Sequence, residues 1–335
     1  MMNIKRYTDS DGADMYFALL NDMYGAHHAF RYFISDMQKA LHYSFSSKKQ
    51  SISCIQITGL SGDILAHIAL IEDDRLSAGE AFWGFFECRN DSELFAKLWS
   101  SLLDAAREKG IKKLMGPVNG SIWHPYRVVS MNSAEPFFPS EPLTQDYYSD
   151  LIRTLKPASV AEYHSAFRRR FDLIMMATEP SFNQAVASGV QIKPVPHVDA
   201  TLLKPIFDLS KTIFSSNWGY TELSFDEFLA LYNSDKIKEF ISSVYTVMTG
   251  TELIGFCSNI GYENTLVMKT IGVLPEWQGK GIGNALVYAV HRDACEKGIT
   301  KIIYGLVKKD NKVKHFPMDD IEVFREYSAF EFIVS

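Results

Sequence analysis

Four cysteines in 335 residues, at positions 54, 88, 257 and 295, are too few to staple a chain of this length and too scattered for a CxxC metal or redox pair. They point to thiols in a reducing compartment, and no metal site is expected. A basic excess is also missing. With 34 Lys and Arg against 40 Asp and Glu the net charge is −6, so the totals carry no footprint for a phosphate backbone and no nucleic-acid partner is expected. No run of about 18 uncharged apolar residues occurs, and the first residues, Met1 to Asp9, contain no apolar h-region. Neither a membrane span nor a secretory signal is therefore expected, and a cytoplasmic location is.

What is present is apolar material for more than one core, 47% of the residues, and at roughly 150 residues per domain the length predicts two domains. The first half alternates strand-like and helix-like stretches, the pattern of a mixed α/β (α+β) layer fold. Ser51–Thr58 and Asp63–Ile71 flank Gly59-Leu60-Ser61-Gly62 as a hairpin, and Ala81–Phe86 is a third apolar run. Asn90-Asp91-Ser92-Glu93 then offers N-caps to a helix carrying Leu94, Leu98, Leu102 and Ala105 on one face and closed by Gly110. A strand, Ile111–Met115, follows, and Gly116-Pro117-Val118-Asn119-Gly120 breaks it into an irregular stretch reaching about Pro142.

The second half repeats this order. Ser243–Thr249 and Leu253–Ile260 form a hairpin across Gly250-Thr251-Glu252. Thr265–Val273 is the third run, Gly283–Lys297 a helix closed by Gly298, and Lys301–Val307 a strand. Two copies of one fold are the expected architecture, with a boundary between about 185 and 195 that gives domains 1–188 and 189–335.

The segment that carries chemistry joins the third run of the second half to its helix: Gln278-Gly279-Lys280-Gly281-Ile282-Gly283-Asn284. Backbone N–H groups in a glycine-rich turn at a helix N-terminus form an anion nest, so a phosphate-bearing ligand is expected. A Walker loop fails because Lys280 lies between the glycines. A dinucleotide fingerprint from Gly279 fails because its third glycine would fall at Asn284. The remaining pattern, Q-x-x-G-x-G on a strand-to-helix turn, resembles the GNAT N-acetyltransferase superfamily. That resemblance implies tandem GNAT-like domains and acetyl-CoA as co-substrate. It also implies that Gln278, Gly279, Lys280, Gly281, Ile282, Gly283 and Asn284 hold the pyrophosphate, and that Ile271, Gly272 and Val273 form the strand edge along which the pantetheine arm lies. Asn311, in a lysine-rich turn, matches a family Asn that contacts the cofactor arm.

Amine acetylation needs an oxyanion donor and an acid for the leaving thiolate. The family's acid is often a Tyr in a Y-x-x-x-G-F stretch. Aligning Phe330 with its Phe puts Arg325 at the Tyr position, so the nearest substitute is Tyr327. Glu263, just before the third run, is the candidate base acting through a water. Asn217, Trp218 and Tyr220 interrupt two helical stretches where GNAT proteins meet their acceptor, and are the candidate acceptor wall.

In the first half Glu87-Cys88-Arg89-Asn90-Asp91-Ser92-Glu93 puts acidic groups where a pyrophosphate would sit, so that half reads as a degenerate copy that does not bind CoA. Its Gly116-to-Arg127 segment, with Phe137-to-Pro142 and Tyr147-Tyr148, resembles a bacterial group of two-domain GNAT proteins. The function expected is acetyl transfer from acetyl-CoA to an amine of a small molecule or peptide, and the acidic balance admits a cationic acceptor. The alternatives are a non-catalytic acyl-CoA-binding or interaction module and a nucleotide-binding protein of another fold. The sequence fixes neither the acceptor nor the oligomeric state.

Overall fold

The computed structural model describes residues 2–10, 13–195, 200–232, 241–309 and 320–335. They form two compact units: unit 1 is Met1–Glu162 with Glu326–Ser335, and unit 2 is Tyr163–Arg325. The sequence reading divides the chain once, at 188/189. The compact units divide it at 162/163 and return the last ten residues to the first unit, an exchange that no local signal in the chain marks.

Unit 1 opens with β1 (Asn3–Tyr7), α1 (Ala13–Tyr24) and α2 (Phe30–Ser46), followed by β2 (Gln50–Thr58), β3 (Ile64–Asp73), β4 (Glu80–Cys88), α3 (Ser92–Glu108) and β5 (Lys113–Gly116). A short β6 (Val128–Met131), α4 (Tyr148–Arg153) and the start of β7 (Ser159–Arg168) complete its N-terminal portion. Its sheet runs β1-β2-β3-β4-β5 and then takes in the C-terminal strand β13 (Glu322–Ile333), which pairs antiparallel with β5 and also with β6. The expected hairpin is β2–β3, antiparallel across the Gly-containing turn. β4 is buried along nearly its whole length, as a strand covered on both faces must be. On one side α3 lays Leu94, Leu98, Leu102 and Ala105 into a core with Trp83, Trp99 and Phe332, whose rings meet edge to face or tilted.

Unit 2 continues with α5 (Phe171–Ala187), β8 (Val190–Val195), α6 (Ala200–Phe214), α7 (Phe225–Tyr232), β9 (Ile241–Thr249), β10 (Glu252–Tyr262), β11 (Thr265–Val273), α8 (Ile282–Glu296) and β12 (Lys301–Lys308). Its sheet order is β7-β12-β11-β10-β9-β8. The stretch read as a linker is β8, an edge strand antiparallel to β9. Pro194 fits there because an edge strand has one side free of ladder bonds. Ala285, Leu286, Ala289 and Val290 of α8 are buried against the sheet together with α5. Gly272 faces the other way, where a Cβ would come within 2.8 Å of Ile213 on α6, so α6 and α8 cover opposite faces.

Candidate functional site

In unit 2 the parallel pair β11–β12 holds register only from Thr265↔Lys301 to Met268↔Tyr304. β11 then carries a bulge at Lys269, since Ser258 opposes Thr270 and Asn259 opposes Met268 on β10. β12 has its own irregularity between Tyr304 and Val307, where Leu306 takes a positive φ of 59° and its N–H donates to Ser165 Oγ at 3.0 Å. The two strands therefore part. Thr270–Val273 keep their β10 partners but, among the described residues, have no strand on the β12 side. Backbone groups on such an edge can bond an extended ligand as an added strand would, apart from Val273 O, which already accepts from Gln278.

The glycine segment begins where that edge ends. A 3-10 turn, Pro275–Trp277, leads into Gln278, whose side-chain amide donates to Val273 O at 3.0 Å and ties the turn back to the strand. Gly279 (φ 75°) and Gly281 (φ 80°) adopt left-handed backbone that an L side chain would strain. Gly281 is the N-cap of α8 and no side chain caps it. The first N–H groups of a helix lack intrahelical partners, and the macrodipole places positive potential there. At Gly283 an added Cβ would meet nothing within 4 Å, whereas at Gly281 it would meet Ser181 Oγ at 3.2 Å, so the first turn of the helix has open space at Gly283. Lys280 Nζ lies 4.8 Å from the Trp277 ring centroid, a cation on the rim of the same turn. An open edge running into an uncapped, glycine-lined helix end fits a long ligand that ends in a pyrophosphate.

The structure thus brings together Ile271, Gly272, Val273 and Gln278 to Asn284. Asn217, Trp218 and Tyr220 lie on the turn after α6, held by Asn217 N–H to Phe214 O (2.9 Å) and Tyr220 N–H to Asn217 O (3.1 Å). Because Ile213 packs on Gly272, this turn follows the end of α6 that lies on β11. Burial, then the nearby Glu222, pushes the Tyr220 phenol above its ordinary value.

The two expected catalytic residues are placed as follows. Glu263 is exposed in the β10–β11 hairpin turn at φ 49°. Thr265 and Val273 are eight residues apart, about 26 Å at ~3.3 Å per strand residue. Glu263 is thus at the far end of β11 from the glycine segment. Tyr327 belongs to unit 1, where it is fully buried and its hydroxyl donates to Glu141 Oε1. That is a core hydrogen bond of a strand that joins β5 and β6. Asn311 lies outside the described residues.

Sequence reasoning missed His291 and Tyr304. His291 is buried on α8, with Nδ1 2.7 Å from Val287 O and Nε2 2.8 Å from Tyr304 Oη. A carbonyl can only accept, so Nδ1 carries the hydrogen and Nε2 accepts from the phenol. Burial lowers the imidazole to about 4 and raises the Tyr304 phenol, which keeps both neutral. Tyr304 is the last β12 residue paired with β11, so the bond clamps β12 to α8 where the strands part.

Unit 1 has the same strand geometry with a different filling. β4 and β5 pair from Glu80↔Lys113 to Phe82↔Met115, and β4 continues on β3 without β5 through a bulge near Phe85 (φ 47°). Here the protein's own chain closes the gap. Val118 N–H donates to Trp83 O at 2.8 Å, and Phe85 N–H donates to Asn119 Oδ1 at 2.7 Å. A Cβ at Gly84 would lie 2.0 Å from Val118 O, so only glycine admits this approach. At the helix end, the Asp91 carboxylate accepts from Glu93 N–H and Leu94 N–H.

Residues 203–315 match the family model described as the acetyltransferase (GNAT) family. No curated protein matches the sequence significantly. Among solved structures the chain is similar to a tandem GNAT protein from the clavulanic acid biosynthesis pathway, at 13% identity and a TM-score of 0.59, covering 100% of this chain and 99% of that one. It is similar to a GCN5-related glucosamine N-acetyltransferase region of a fungal multi-domain GH3 β-N-acetylglucosaminidase, at 12% identity and TM-score 0.59, covering 99% of this chain and 38% of that one. A probable N-acyltransferase from Enterococcus faecalis V583 gives 10% identity and TM-score 0.58, covering 100% and 73%. At these identities the likeness shows the fold. Residues 203–315, wholly within unit 2, thus carry a segment that matches the acetyltransferase (GNAT) family, and the chain shares the fold of tandem GNAT proteins, a fold that supports acyl transfer. No helix among the described residues is long and apolar enough to cross a membrane.

Proposed function

We propose that unit 2 is an acetyl-CoA-dependent N-acetyltransferase acting on an amine of a small molecule or peptide, and that unit 1 does not bind CoA. The observation that carries this reading is the unpaired β11 edge running into the uncapped Gly281–Ile282–Gly283 helix end. The α8 N-terminal amides and the left-handed glycines hold the pyrophosphate, and the backbone of Thr270–Val273 bonds the pantetheine arm. Acetyl-CoA supplies an activated acyl carbon on a good leaving thiolate. The turn bearing Asn217, Trp218 and Tyr220 orients the neutral amine, whose nitrogen forms the new C–N bond and gives up a proton to solvent as the C–S bond breaks and the departing thiolate takes a proton from solvent. A β11 N–H at the split stabilises the carbonyl oxygen as it gains charge. In unit 1 the corresponding space is taken by Val118, Asn119 and the Asp91 carboxylate, which supports its reading as a degenerate copy.

A second reading, an acyl-CoA-binding module without turnover, is favoured by one observation: Glu263 lies at the far end of β11 from the glycine segment, and Tyr327 is a buried residue of unit 1 bonded to Glu141. The test is incubation of the full chain with acetyl-CoA and a panel of amines, following free thiol and acetylated amine together. Stoichiometric release of both supports the transferase. Tight acetyl-CoA binding with no thiol release above the no-enzyme rate across the panel would leave the binding module.

A further inference from the structure

The parallel ladder of β12 with β11 ends at Met268↔Tyr304. On the other edge of β12, β7 pairs antiparallel as far as Tyr304↔Ala166 and resumes at Val307↔His164 and Lys308↔Tyr163. Between those pairs β12 has two residues, Gly305 and Leu306, against the single Ser165 of β7, which makes a β-bulge. It begins at the first residue beyond the last pair with β11. A bulge bends its strand and increases the local twist, so it decides where the strand goes next. Past it β12 stays on β7, while β11 keeps to β10 as far as Gly255↔Val273.

The bulge is held by one side chain. Leu306 is at φ 59°, left-handed backbone that a non-glycine residue keeps only where its surroundings impose it. Its N–H donates to Ser165 Oγ at 3.0 Å, and Ser165 is fully buried. In a regular ladder a carbonyl of the neighbouring strand takes each such N–H. The extra residue puts this one out of step, and a short hydroxyl reaches it instead. Without that oxygen the N–H would lack this acceptor, and straightening the strand is the way to regain one. Two residues earlier, Tyr304 Oη donates to His291 Nε2 on α8 at 2.8 Å. β12 is therefore fixed to α8 just before the bend and to β7 within it, by bonds that are internal to unit 2 and need no ligand. The gap beside Thr270–Val273 is open before anything binds, and an incoming extended chain does not have to separate two strands first.

We propose that Ser165 is a positioning residue for the pantetheine arm: through Leu306 N–H it holds β12 on β7 and keeps the gap along β11 open. This inference rests on the reading of unit 2 as an acetyl-CoA site. Ser165 acts through β12 and not by touching the ligand, so its effect falls on the arm in the gap and spares the nucleotide end at α8.

The experiment is calorimetric titration of the full chain, wild type and Ser165→Ala, with acetyl-CoA and with adenosine 3′-phosphate 5′-diphosphate, the nucleotide end of CoA without its arm. The variant is expected to bind acetyl-CoA about tenfold or more weakly and the nucleotide within about twofold of the wild type. General loosening of the domain would weaken both alike. Because the variant could disturb folding, hydrogen exchange at the Leu306 amide is also followed in the wild type. It is expected to exchange about 100-fold or more slowly than an unprotected peptide without ligand, and to remain slow with acetyl-CoA bound. Absence of acetyl-CoA binding by the wild type would overturn the reading of the site and this inference with it. Undiminished acetyl-CoA binding by the variant, equal weakening of the two ligands, or a Leu306 amide protected only once acetyl-CoA is bound would overturn this inference alone.

Discussion

Asp91 and Gly281 occupy the same place in the two units, each the N-cap of the helix that follows a strand parted from its parallel neighbour, and they leave opposite surfaces. Asp91 turns its carboxylate onto Glu93 N–H and Leu94 N–H, at 2.9 and 3.0 Å, whereas Gly281 leaves its helix end without a side-chain cap. One end is neutralised from within; the other is left for an anion from outside. Asp91→Ala should cost about 1 kcal/mol of stability in urea denaturation. It should give unit 1 no affinity for acetyl-CoA in calorimetry, because Val118 and Asn119 still fill the gap.

Gly84→Ala probes that filling directly. The new methyl would lie 2.0 Å from Val118 O, a backbone atom that cannot rotate aside. A loss of about 1 to 3 kcal/mol or more is expected in chemical denaturation. A neutral result would mean that the Pro117-to-Asn119 segment is not seated on β4.

The buried ionisable groups set the pH profile of stability. Burial holds His67 and His291 at about 4 and His124 at about 3, against roughly 6.5 in the unfolded chain. The unfolded chain therefore binds more protons between about pH 6.5 and 4. Stability falls with acidification through that window, by up to about 1.4 kcal/mol per pH unit for each histidine. Glu87 acts in the opposite sense: raised to about 8, it keeps a proton that the unfolded chain has lost, so its contribution falls as the pH rises towards 8. Urea midpoints measured across pH should peak near about 6.5, and Glu87→Gln should flatten the alkaline side.

Tyr327→Phe separates a core role from a catalytic one. Its hydroxyl donates to Glu141, which also accepts from Phe138 N–H at 2.9 Å. Removing it leaves a buried carboxyl under-satisfied, at about 1 to 3 kcal/mol. Thermal stability should drop while the rate of thiol release, measured well below the midpoint, stays at the wild-type level.

Much of this fold is legible because local patterns carry it. The two hairpins, the third runs, the helices ending before Gly110 and Gly298 and the strands after them follow from alternation, helical spacing and turn glycines, and the structure has them within one to three residues. The cofactor-like turn is legible for the same reason: Gly279, Gly281 and Gly283 fall within five consecutive residues. Long-range pairing is not. Nothing around Glu322–Ile333 says that this strand will lie against β5 and β6, and Lys193-Pro194-Val195 looks like a linker until β9 is beside it. The His291–Tyr304 clamp joins residues 13 apart on a helix and a strand, with no motif to announce it. Glu87 reads as one of several acidic residues, and only the fold reveals two phenols on a single oxygen.

The central claim is that α8 and the β11 edge form an acyl-CoA site, and Gly283→Glu tests it most directly. Gly283 has open space around its Cα and a helical backbone, so the substitution has room. Replacing a helical glycine and adding an acidic group in the first turn should each stabilise the ligand-free protein, by up to about 1 kcal/mol. The same carboxylate would repel a pyrophosphate. Thermal unfolding of the wild type with acetyl-CoA at 100 times its dissociation constant should show about 2.7 kcal/mol of added stability. The variant should unfold no lower than the wild type without ligand and show no acetyl-CoA shift. An unchanged shift in the variant, or none in the wild type at millimolar acetyl-CoA, would contradict the account.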